Sequence, residues 1–274
     1  MIKDVALGQY FPGNSIIHRR DPRVKIILTI AYIVSLFVCK GVIPYCIVAV
    51  LLLTVILITR INLRLIFKSL RPIMILLAFT AVLNVFYTKS GDVLLQFGAV
   101  SVTTGGVATA LYMTVRIILL VAGTFVMLTY TTSPIMLTDG LEALLSPLKK
   151  VRFPVHELSM MMSIALRFIP TLIEETDKIM SAQKSRGASF ETGSLVSRAR
   201  ALVPVLVPLF INAFKRAEDL ALAMECRCYR GGEGRVRLRV FKLSSCDIYA
   251  CILFFAVFAA VAVISATVSF GVVL

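Results

Sequence analysis

The last stretch of the chain, residues 248–274, contains no Asp, Glu, Lys, Arg or His. It is longer than the roughly 20 apolar residues that an α-helix needs to cross the hydrocarbon core of a bilayer. Four more runs that are almost entirely apolar occupy residues 24–39, 41–59, 72–87 and 107–129. The sequence therefore predicts an all-α, polytopic membrane protein with about five transmembrane helices.

The composition supports this class and argues against others. Hydrophobic residues make up 58% of the chain and the mean hydropathy is +0.90, which is more than a soluble domain normally carries. The net charge of +14 comes from basic residues between apolar runs, without the basic stripe and interleaved aromatics of a nucleic-acid interface. The lipid bilayer is therefore an expected partner and nucleic acid is not. The six cysteines lack paired spacing, so we expect free thiols.

The basic residues also predict the topology. Segments 18–23 and 60–71 are rich in Arg and lie beside apolar runs, which places both on the cytoplasmic side. Only Lys40 and Gly41 separate the first two runs, so these runs should form an antiparallel hairpin. The segment from 88 to 106 has few basic residues and is expected to be a loop on the outside.

Three segments follow from this topology. We expect residues 1–129 to form an N-terminal membrane domain with a cytoplasmic N-terminus, residues 130–247 a cytoplasmic domain, and residues 248–274 a last helix with the C-terminus outside. Within the cytoplasmic domain, Ser133-Pro134 predicts a helix start, because serine caps free amides and proline is tolerated at the first helical position. This short helix should end near Leu145.

Two long amphipathic helices are predicted between Phe153 and Gly234, where apolar residues recur at three- and four-residue spacing. Pro170 lies inside the first pattern, and Pro204 and Pro208 lie inside the second. Each proline removes a backbone hydrogen bond, so we expect kinks at these positions.

Each long pattern ends at an arginine, in Ser185-Arg186-Gly187 and in Cys226-Arg227-Cys228. Gly187 and the pair Gly231-Gly232 suit the left-handed conformation that ends a helix, so we expect the two helices to stop there. A guanidinium stays charged and can bind a carboxylate through two parallel hydrogen bonds. We therefore hypothesise that the two arginines bind other chains. The alternative is that both simply face water.

Sites for metals and nucleotides are incomplete. His156-Glu157 resembles half of a zinc-hydrolase motif, but no histidine follows four residues after His156. Cys226 and Cys228 alone do not complete a four-ligand metal site. The chain contains no Gly-x-x-x-x-Gly-Lys-Ser/Thr loop, so it is not expected to bind ATP through a P-loop.

Several short motifs are distributed along the chain. They are Gly8-Gln9-Tyr10-Phe11-Pro12-Gly13-Asn14-Ser15, Asp21-Pro22-Arg23, Thr131-Thr132-Ser133-Pro134, Phe153-Pro154-Val155-His156-Glu157 and Ala165-Leu166-Arg167-Phe168-Ile169-Pro170. At these residues and at the two arginine motifs, the chain resembles the transmembrane coupling component, or T component, of energy-coupling-factor transporters. The resemblance extends nearly end to end, and the length, membrane pattern and basic character agree with it.

The resemblance implies coupling rather than catalysis. In that family, two Ala-Arg-Gly signatures end the coupling helices and dock into grooves on two ABC-type ATPases, which bind ATP and Mg²⁺. The arginines match here, whereas the flanking residues Ser185, Cys226 and Cys228 differ. ATP-driven motion would reach a separate integral membrane subunit that binds a vitamin or a similar micronutrient. The chain itself would carry no cofactor or metal and would not be an enzyme.

The resemblance also implies a multi-pass protein of the bacterial cell membrane. The helix face around Met161, Met162 and Ile169 is expected to contact the substrate-binding subunit.

Two alternatives from other classes stay open at this stage. A membrane-embedded lipid-modifying enzyme would use Arg116, Arg167 and the carboxylates of Glu174, Glu175 and Asp177, although no metal or nucleophile constellation accompanies them. A stand-alone secondary transporter would place ionisable residues near the bilayer midplane, and only Arg116 meets that condition. Because an arginine at membrane depth is costly, we expect Arg116 to contact protein.

Overall fold

A computed structural model of the chain describes residues 13, 15–88, 90–97, 100–151, 153–190, 192, 194–231 and 244–267. Within these ranges the chain forms nine α-helices and one two-stranded β-hairpin, which confirms the predicted all-α class apart from the hairpin. The helices are α1 (Pro22–Val38), α2 (Val42–Thr59), α3 (Leu63–Leu70), α4 (Met74–Tyr87), α5 (Thr104–Thr124), α6 (Pro134–Leu145), α7 (Val155–Ser185), α8 (Leu195–Cys226) and α9 (Ser245–Thr267). Short 3₁₀ turns at Arg71–Ile73 and Ser146–Val151 and a π-helical turn at Phe125–Tyr130 connect some of them.

The described residues belong to two compact units. The bundle unit lies within residues 8–140 and 241–274, and the two-helix unit lies within residues 141–240. The predicted segment boundaries at 129 and 247 concern the edge of the membrane and stay predictions.

The core of the bundle unit is organised around Tyr32 of α1. Its side chain is fully buried, and its hydroxyl donates a hydrogen bond to the Leu119 carbonyl of α5 at 2.8 Å. Gly123 makes room for the ring, because a Cβ at this position would lie 2.3 Å from Tyr32 Cε1. One aromatic side chain and one glycine thus determine how closely α1 and α5 approach.

Helices α1 and α9 are connected at both ends. At one end, Arg20 forms an ion pair of 3.4 Å with the buried Asp247. At the other end, Ser265 Oγ donates to the Val38 carbonyl at 2.6 Å and accepts from the Lys40 amide at 3.0 Å. The two helices are therefore parallel and begin on the same side of the bundle. The predicted topology, in which both helices cross the bilayer in the same direction, requires this parallel course.

The basic segment 60–71, which we interpret as a cytoplasmic loop between two transmembrane runs, is helical over most of its length. α3 begins at Leu63 and leads through a 3₁₀ turn into α4. Its buried side chains pack into the bundle, and the Tyr130 hydroxyl contacts Ser69 Oγ and donates to the Leu65 carbonyl at 3.1 Å. The basic residues obscured this helix, because Arg64 and Lys68 interrupt the apolar residues of a segment only eight residues long.

The β-hairpin lies in the segment predicted as a loop between residues 88 and 106. It pairs Val93–Phe97 with Val100–Thr103 in antiparallel register. Thr103 then caps α5, because its Oγ1 accepts a hydrogen bond from the Gly106 amide at 3.1 Å and donates to the Thr88 carbonyl at 2.8 Å. α5 consequently begins three residues before the predicted run.

Five helical stretches in the described part of the chain are long and apolar enough to cross a membrane. They are Val42–Thr59, Leu63–Tyr87, Thr104–Tyr130, Val196–Cys226 and Ser245–Thr267. Four of them contain or overlap predicted transmembrane runs. The predicted run 24–39 forms α1, which has 17 residues and is not among the five stretches. The fifth stretch lies in α8. In α8 the uncharged run is limited to residues 201–214, which is shorter than the roughly 20 residues of a typical span.

Candidate functional site

The two-helix unit is built from α7 and α8, which have 31 and 32 residues. α7 continues through Pro170, and α8 continues through Pro204 and Pro208, without an interruption of the helix. The predicted kinks at these prolines stay predictions. Ser194 starts α8, because its side chain accepts a hydrogen bond from the Ser197 amide at 3.3 Å.

Helix α6 is joined to α7 by polar contacts. As predicted, α6 begins at Pro134 with Ser133 Oγ accepting from the Met136 amide at 3.3 Å. Glu142 near its end accepts a hydrogen bond from Ser159 Oγ at 2.9 Å and lies 3.3 Å from His156 Nδ1. His156 is therefore part of a structural contact. Among the described residues, no group of three or more His, Cys, Asp or Glu side chains could hold a metal ion.

The end of α7 is a Schellman motif. Arg186 is the last residue with a near-helical backbone, and Gly187 follows at φ +86°. The Ala188 amide donates to the Gln183 carbonyl at 3.0 Å, and the Gly187 amide donates to the Lys184 carbonyl at 3.0 Å. These two bonds satisfy carbonyls that would otherwise lack partners at the helix end. The Arg186 side chain is thereby held at the tip of the helix.

The end of α8 repeats this motif with different residues. Cys228 adopts φ +54°, the Tyr229 amide donates to the Met224 carbonyl at 3.0 Å, and the Cys228 amide donates to the Glu225 carbonyl at 2.8 Å. The expected stop at Gly231-Gly232 is therefore wrong: α8 ends at Cys226, and Gly231 follows five residues later. Gly232 lies outside the described residues. A cysteine takes the left-handed position because the two capping bonds offset its backbone cost, about 1 kcal/mol.

The two tips match residue by residue. Ser185 and Cys226 are the last helical residues, Arg186 and Arg227 are the capping residues, and Gly187 and Cys228 are the left-handed residues. The structure thus brings the two arginine motifs, which have different sequences, into the same backbone conformation.

An ion pair ties the two helices together at equivalent positions. Arg216 of α8 pairs with Glu175 of α7. Glu175 precedes Arg186 by eleven residues, and Arg216 precedes Arg227 by the same number. At 1.5 Å per residue, each arginine lies about 16 Å along its helix from this pair. Glu175, predicted on a solvated helix face or paired with a nearby arginine, has the second of these roles.

The two arginines at the tips differ from three arginines whose side chains are held within the chain. Arg20 and Arg216 have carboxylate partners, and Arg116 donates to the Tyr45 hydroxyl at 2.7 Å. Arg186 and Arg227 are exposed, and within the described ranges neither guanidinium has a hydrogen-bond or ion-pair partner. A fixed backbone with a free, permanently charged fork is suited to binding a carboxylate on another chain.

The two-helix unit also exposes an apolar surface. Met161 and Met162 are exposed and Ile169 is half-buried, so the predicted face of α7 is accessible. Sequence analysis missed a longer stripe on α8, which we call the α8 stripe; it consists of Val203, Val207, Phe210 and Phe214. Phe210 is 60% exposed and Phe214 is 73% exposed. The four- and three-residue spacing was the available signal, but α8 is apolar on several faces and the exposed one did not stand out.

Arg116 is held by protein, as expected. Besides its bond to Tyr45, its guanidinium lies 5.8 Å from the Tyr45 ring centroid and 6.0 Å from that of Phe37. These residues lie beside the turn between α1 and α2, so Arg116 belongs to the packing at that end of the bundle. Within the described part of the chain, Glu174, Glu175 and Asp177 belong to no group of three or more His, Cys, Asp or Glu side chains that could hold a metal ion.

Comparison with known proteins gives one matching family. The family model described as "Cobalt transport protein", CbiQ, matches residues 13–238. Curated relatives named "Energy-coupling factor transporter transmembrane protein EcfT" are similar over nearly the whole chain. The relative from Thermosediminibacter oceani is 52% identical over 251 residues, covering 92% of this chain and 94% of its own length.

Two further relatives with the same name show the same extent of similarity. The Clostridium kluyveri protein is 51% identical over 251 residues, covering 91% of this chain and 93% of its own length. The Bacillus subtilis protein is 46% identical over 239 residues, covering 87% and 90%. The matched region of each is long enough to include both arginine motifs.

Proposed function

Because the chain belongs to the family of energy-coupling factor transporter transmembrane proteins, we propose that it transmits ATP-driven motion from two ABC ATPases to a substrate-binding membrane subunit. In this role Arg186 and Arg227 dock into an acidic groove on each ATPase. Ser185 and Gly187 flank the first contact, and Cys226 and Cys228 flank the second.

The observation that supports this proposal is the pair of matching helix ends. Two motifs of different sequence form the same Schellman turn, and each presents an exposed arginine without a partner among the described residues. Equal spacing from the Glu175–Arg216 ion pair suits contacts with two related or identical partners. A symmetric pair of ATPases offers two such grooves, whereas a single ligand would need only one.

The chain is the mechanical component of this assembly. ATP and Mg²⁺ bind to the partner ATPases, and hydrolysis takes place there. The chain itself holds no cofactor and catalyses no reaction. The ATPases approach and separate during their cycle, and the rigid caps at Arg186 and Arg227 convert that motion into motion of α7 and α8.

The apolar surface of the two-helix unit supports the second half of the proposal. The residues of the α8 stripe and Met161 and Met162 are large apolar side chains that are exposed, and exposed apolar patches are typical of contacts with protein or membrane. The substrate-binding integral membrane subunit covers this surface. That subunit selects a vitamin or a similar micronutrient, and this chain moves it.

The orientation in the bacterial cell membrane follows from the charge distribution. The N-terminal segment and the two-helix unit face the cytoplasm, where the ATPases are, and the C-terminus is outside. The parallel course of α1 and α9 suits this arrangement because both helices then enter the bilayer from the cytoplasmic side.

Co-purification with candidate ABC ATPases tests the docking sites. The variants are Arg186→Ala, Arg227→Ala and their combination, and the matched control is Arg167→Ala with Arg200→Ala, two exposed arginines on the same helices. Each docking substitution should weaken binding by about 2 kcal/mol, or about 30-fold, and the double variant should lose the ATPases. The control should retain them.

Two results would argue against the proposal. ATPase binding at native affinity by the double variant would exclude the two arginines as docking residues. Failure of the native chain to bind any ABC ATPase would favour a stand-alone transporter or a membrane-embedded lipid-modifying enzyme. Replacement of both arginines by lysine separates charge from geometry, because lysine keeps the charge and loses the bidentate fork.

Site-specific photocross-linking tests the apolar surface. A photoreactive amino acid at Phe210 should cross-link to a substrate-binding subunit in the assembled complex. The control position is Asp219, nine residues later and about 180° around the same helix, which should not cross-link to it. Cross-linking from position 210 to lipid alone would place the α8 stripe in the bilayer instead.

A further inference from the structure

Helix α3 and the 3₁₀ turn that follows it carry a row of basic side chains. Arg64, Lys68 and Arg71, which we call the α3 stripe, are spaced by four and three residues and are all exposed. At 3.6 residues per turn they lie within an arc of about 60°. Arg60, at the end of α2, is exposed as well.

The α3 stripe has no compensating charge nearby. No Asp or Glu occurs in the sequence between Asp21 and Asp92. Within the described part of the chain, none of the three basic side chains has a hydrogen-bond or ion-pair partner. Three exposed cations on one face of a short helix repel one another, so they favour an anionic partner.

The other faces of α3 restrict what that partner can be. One face is occupied by the bundle, where Ile66, Ser69 and Leu70 are buried. The face on the other side of the α3 stripe is apolar and exposed, with Leu63, Phe67 and, one turn later, Met74. Phe67 is 70% exposed. Around the helix, the face packed on the bundle is therefore followed by the basic face and then by the exposed apolar face.

The apolar face is continuous with a membrane span. α3 and α4 together form the stretch Leu63–Tyr87, which is long and apolar enough to cross a bilayer. An acidic protein surface would cover the cations but would leave Leu63 and Phe67 without an apolar environment. A lipid headgroup region accommodates both, because acyl chains cover the apolar face while basic side chains extend to the phosphates.

We propose that the α3 stripe binds the headgroups of anionic phospholipids and holds α3 in the membrane interface. The contact is anchored to the bundle through Tyr130, which bonds to α3 and ends the π-helical turn after α5. The site requires neither of the proposed protein partners, so it can be tested on the chain alone.

The chain has no tryptophan, which allows a direct measurement. A Phe67→Trp variant of the full chain carries one fluorescent indole, the α3 reporter, beside the α3 stripe. It is reconstituted into nanodiscs of phosphatidylcholine and phosphatidylglycerol at fixed mole fractions, with only one of the two lipids brominated on its acyl chains. Quenching by each brominated lipid then reports which lipid lies beside the α3 reporter.

Brominated phosphatidylglycerol should quench the α3 reporter more strongly than brominated phosphatidylcholine at equal mole fraction. Each basic residue near an anionic surface changes the affinity about fivefold, so Arg64→Gln, Lys68→Gln and Arg71→Gln together should remove the preference. High salt should reduce it. Lysine at positions 64 and 71 should retain the preference, because lysine keeps the positive charge.

Two controls make the same kinds of substitution away from α3. A Phe79→Trp reporter on the exposed face of α4 should show no lipid preference. Neutralising Lys149, Lys150 and Arg200, three exposed basic residues of the two-helix unit, should leave the preference at the α3 reporter unchanged.

Equal quenching by both lipids would overturn the proposal, as would a preference that survives the triple neutralisation. The measurement is repeated on the assembled complex. If the preference at the α3 reporter disappears when protein partners are present, the α3 stripe binds an acidic protein surface rather than lipid, and the proposal is likewise rejected.

Discussion

In the bundle unit the ring of Tyr32 is buried against α5 and its hydroxyl is hydrogen-bonded, whereas in the two-helix unit the ring of Phe210 is exposed. Three arginines show the same contrast. Arg116 is held by Tyr45 in the bundle, whereas Arg186 and Arg227 extend from helix ends without a partner in the described ranges. The ring of Tyr32 therefore stabilises the bundle itself, whereas Phe210, Arg186 and Arg227 are accessible for the contacts with other chains that we propose.

The largest expected effect separates the two aromatic rings. Tyr32→Ala should destabilise the bundle by about 3 kcal/mol, because it leaves a cavity and removes the bond to Leu119. Phe210→Ala should change stability by less than about 0.5 kcal/mol, because an exposed side chain has little packing to lose. Thermal unfolding of both variants in detergent measures the contrast. A comparable loss for Phe210→Ala would mean that the α8 stripe is packed within the chain. That result would contradict its proposed role as a partner surface.

A smaller effect concerns the junction of α1 and α9. Asp247→Asn removes the charge that pairs with Arg20 and should cost about 2 kcal/mol, less than a fully buried pair because the Arg20 side chain is 20% exposed. Asp219→Asn, an exposed aspartate of α8, should have almost no effect. Unfolding midpoints of the two variants provide the measurement. Equal midpoints would show that the pair does not hold α9 in place.

The smallest effect distinguishes the two helix tips. Gly187→Ala should destabilise its cap by about 1 kcal/mol. No neighbouring atom lies within 4 Å of an added Cβ, so the cost is that of holding alanine in the left-handed conformation. Cys228→Gly should stabilise its cap by a similar amount. Amide hydrogen exchange at Ala188 and Tyr229, which donate the outer capping bonds, should become about fivefold faster in the first variant and about fivefold slower in the second.

The control for the tips is Gly187→Asn, because asparagine tolerates the left-handed conformation better than alanine does. Its exchange rate should lie between those of the native chain and Gly187→Ala. If amide exchange is unchanged in both Gly187→Ala and Cys228→Gly, the Schellman hydrogen bonds do not persist in solution.

Much of the fold could be predicted from local patterns. The predicted start of α6 at Ser133-Pro134 is confirmed, because capping depends only on neighbouring residues. The predicted apolar runs form helices within a few residues of their expected limits, except that the expected end of the last run at residue 274 lies outside the described residues. α3 was missed because its apolar face is short and interrupted by arginines. The hairpin was missed because strand pairing between Val93 and Thr103 depends on contacts ten residues apart.

The candidate site was predicted in part. The arginines and their motifs were identified from the sequence, and the assignment of Arg186 and Arg227 as docking residues stays a prediction. The predicted position of the second helix end is wrong, because glycine preference pointed to Gly231-Gly232 while capping bonds placed Cys228 in the left-handed conformation. The pairing of Glu175 with Arg216 joins residues on two different helices. No periodicity along one helix can reveal such a pair.

The ion pair between Glu175 and Arg216 has a consequence for amplitude. Two arms of about 16 Å extend from it to the arginines. If the angle of either helix changes by about 10° around this point, its tip moves by about 3 Å, roughly the length of one hydrogen bond. A change too small to disturb the packing beside the ion pair is therefore large enough at the tip to form or break a bidentate contact. Because the arms are equal, the same angular step produces the same displacement at both ends.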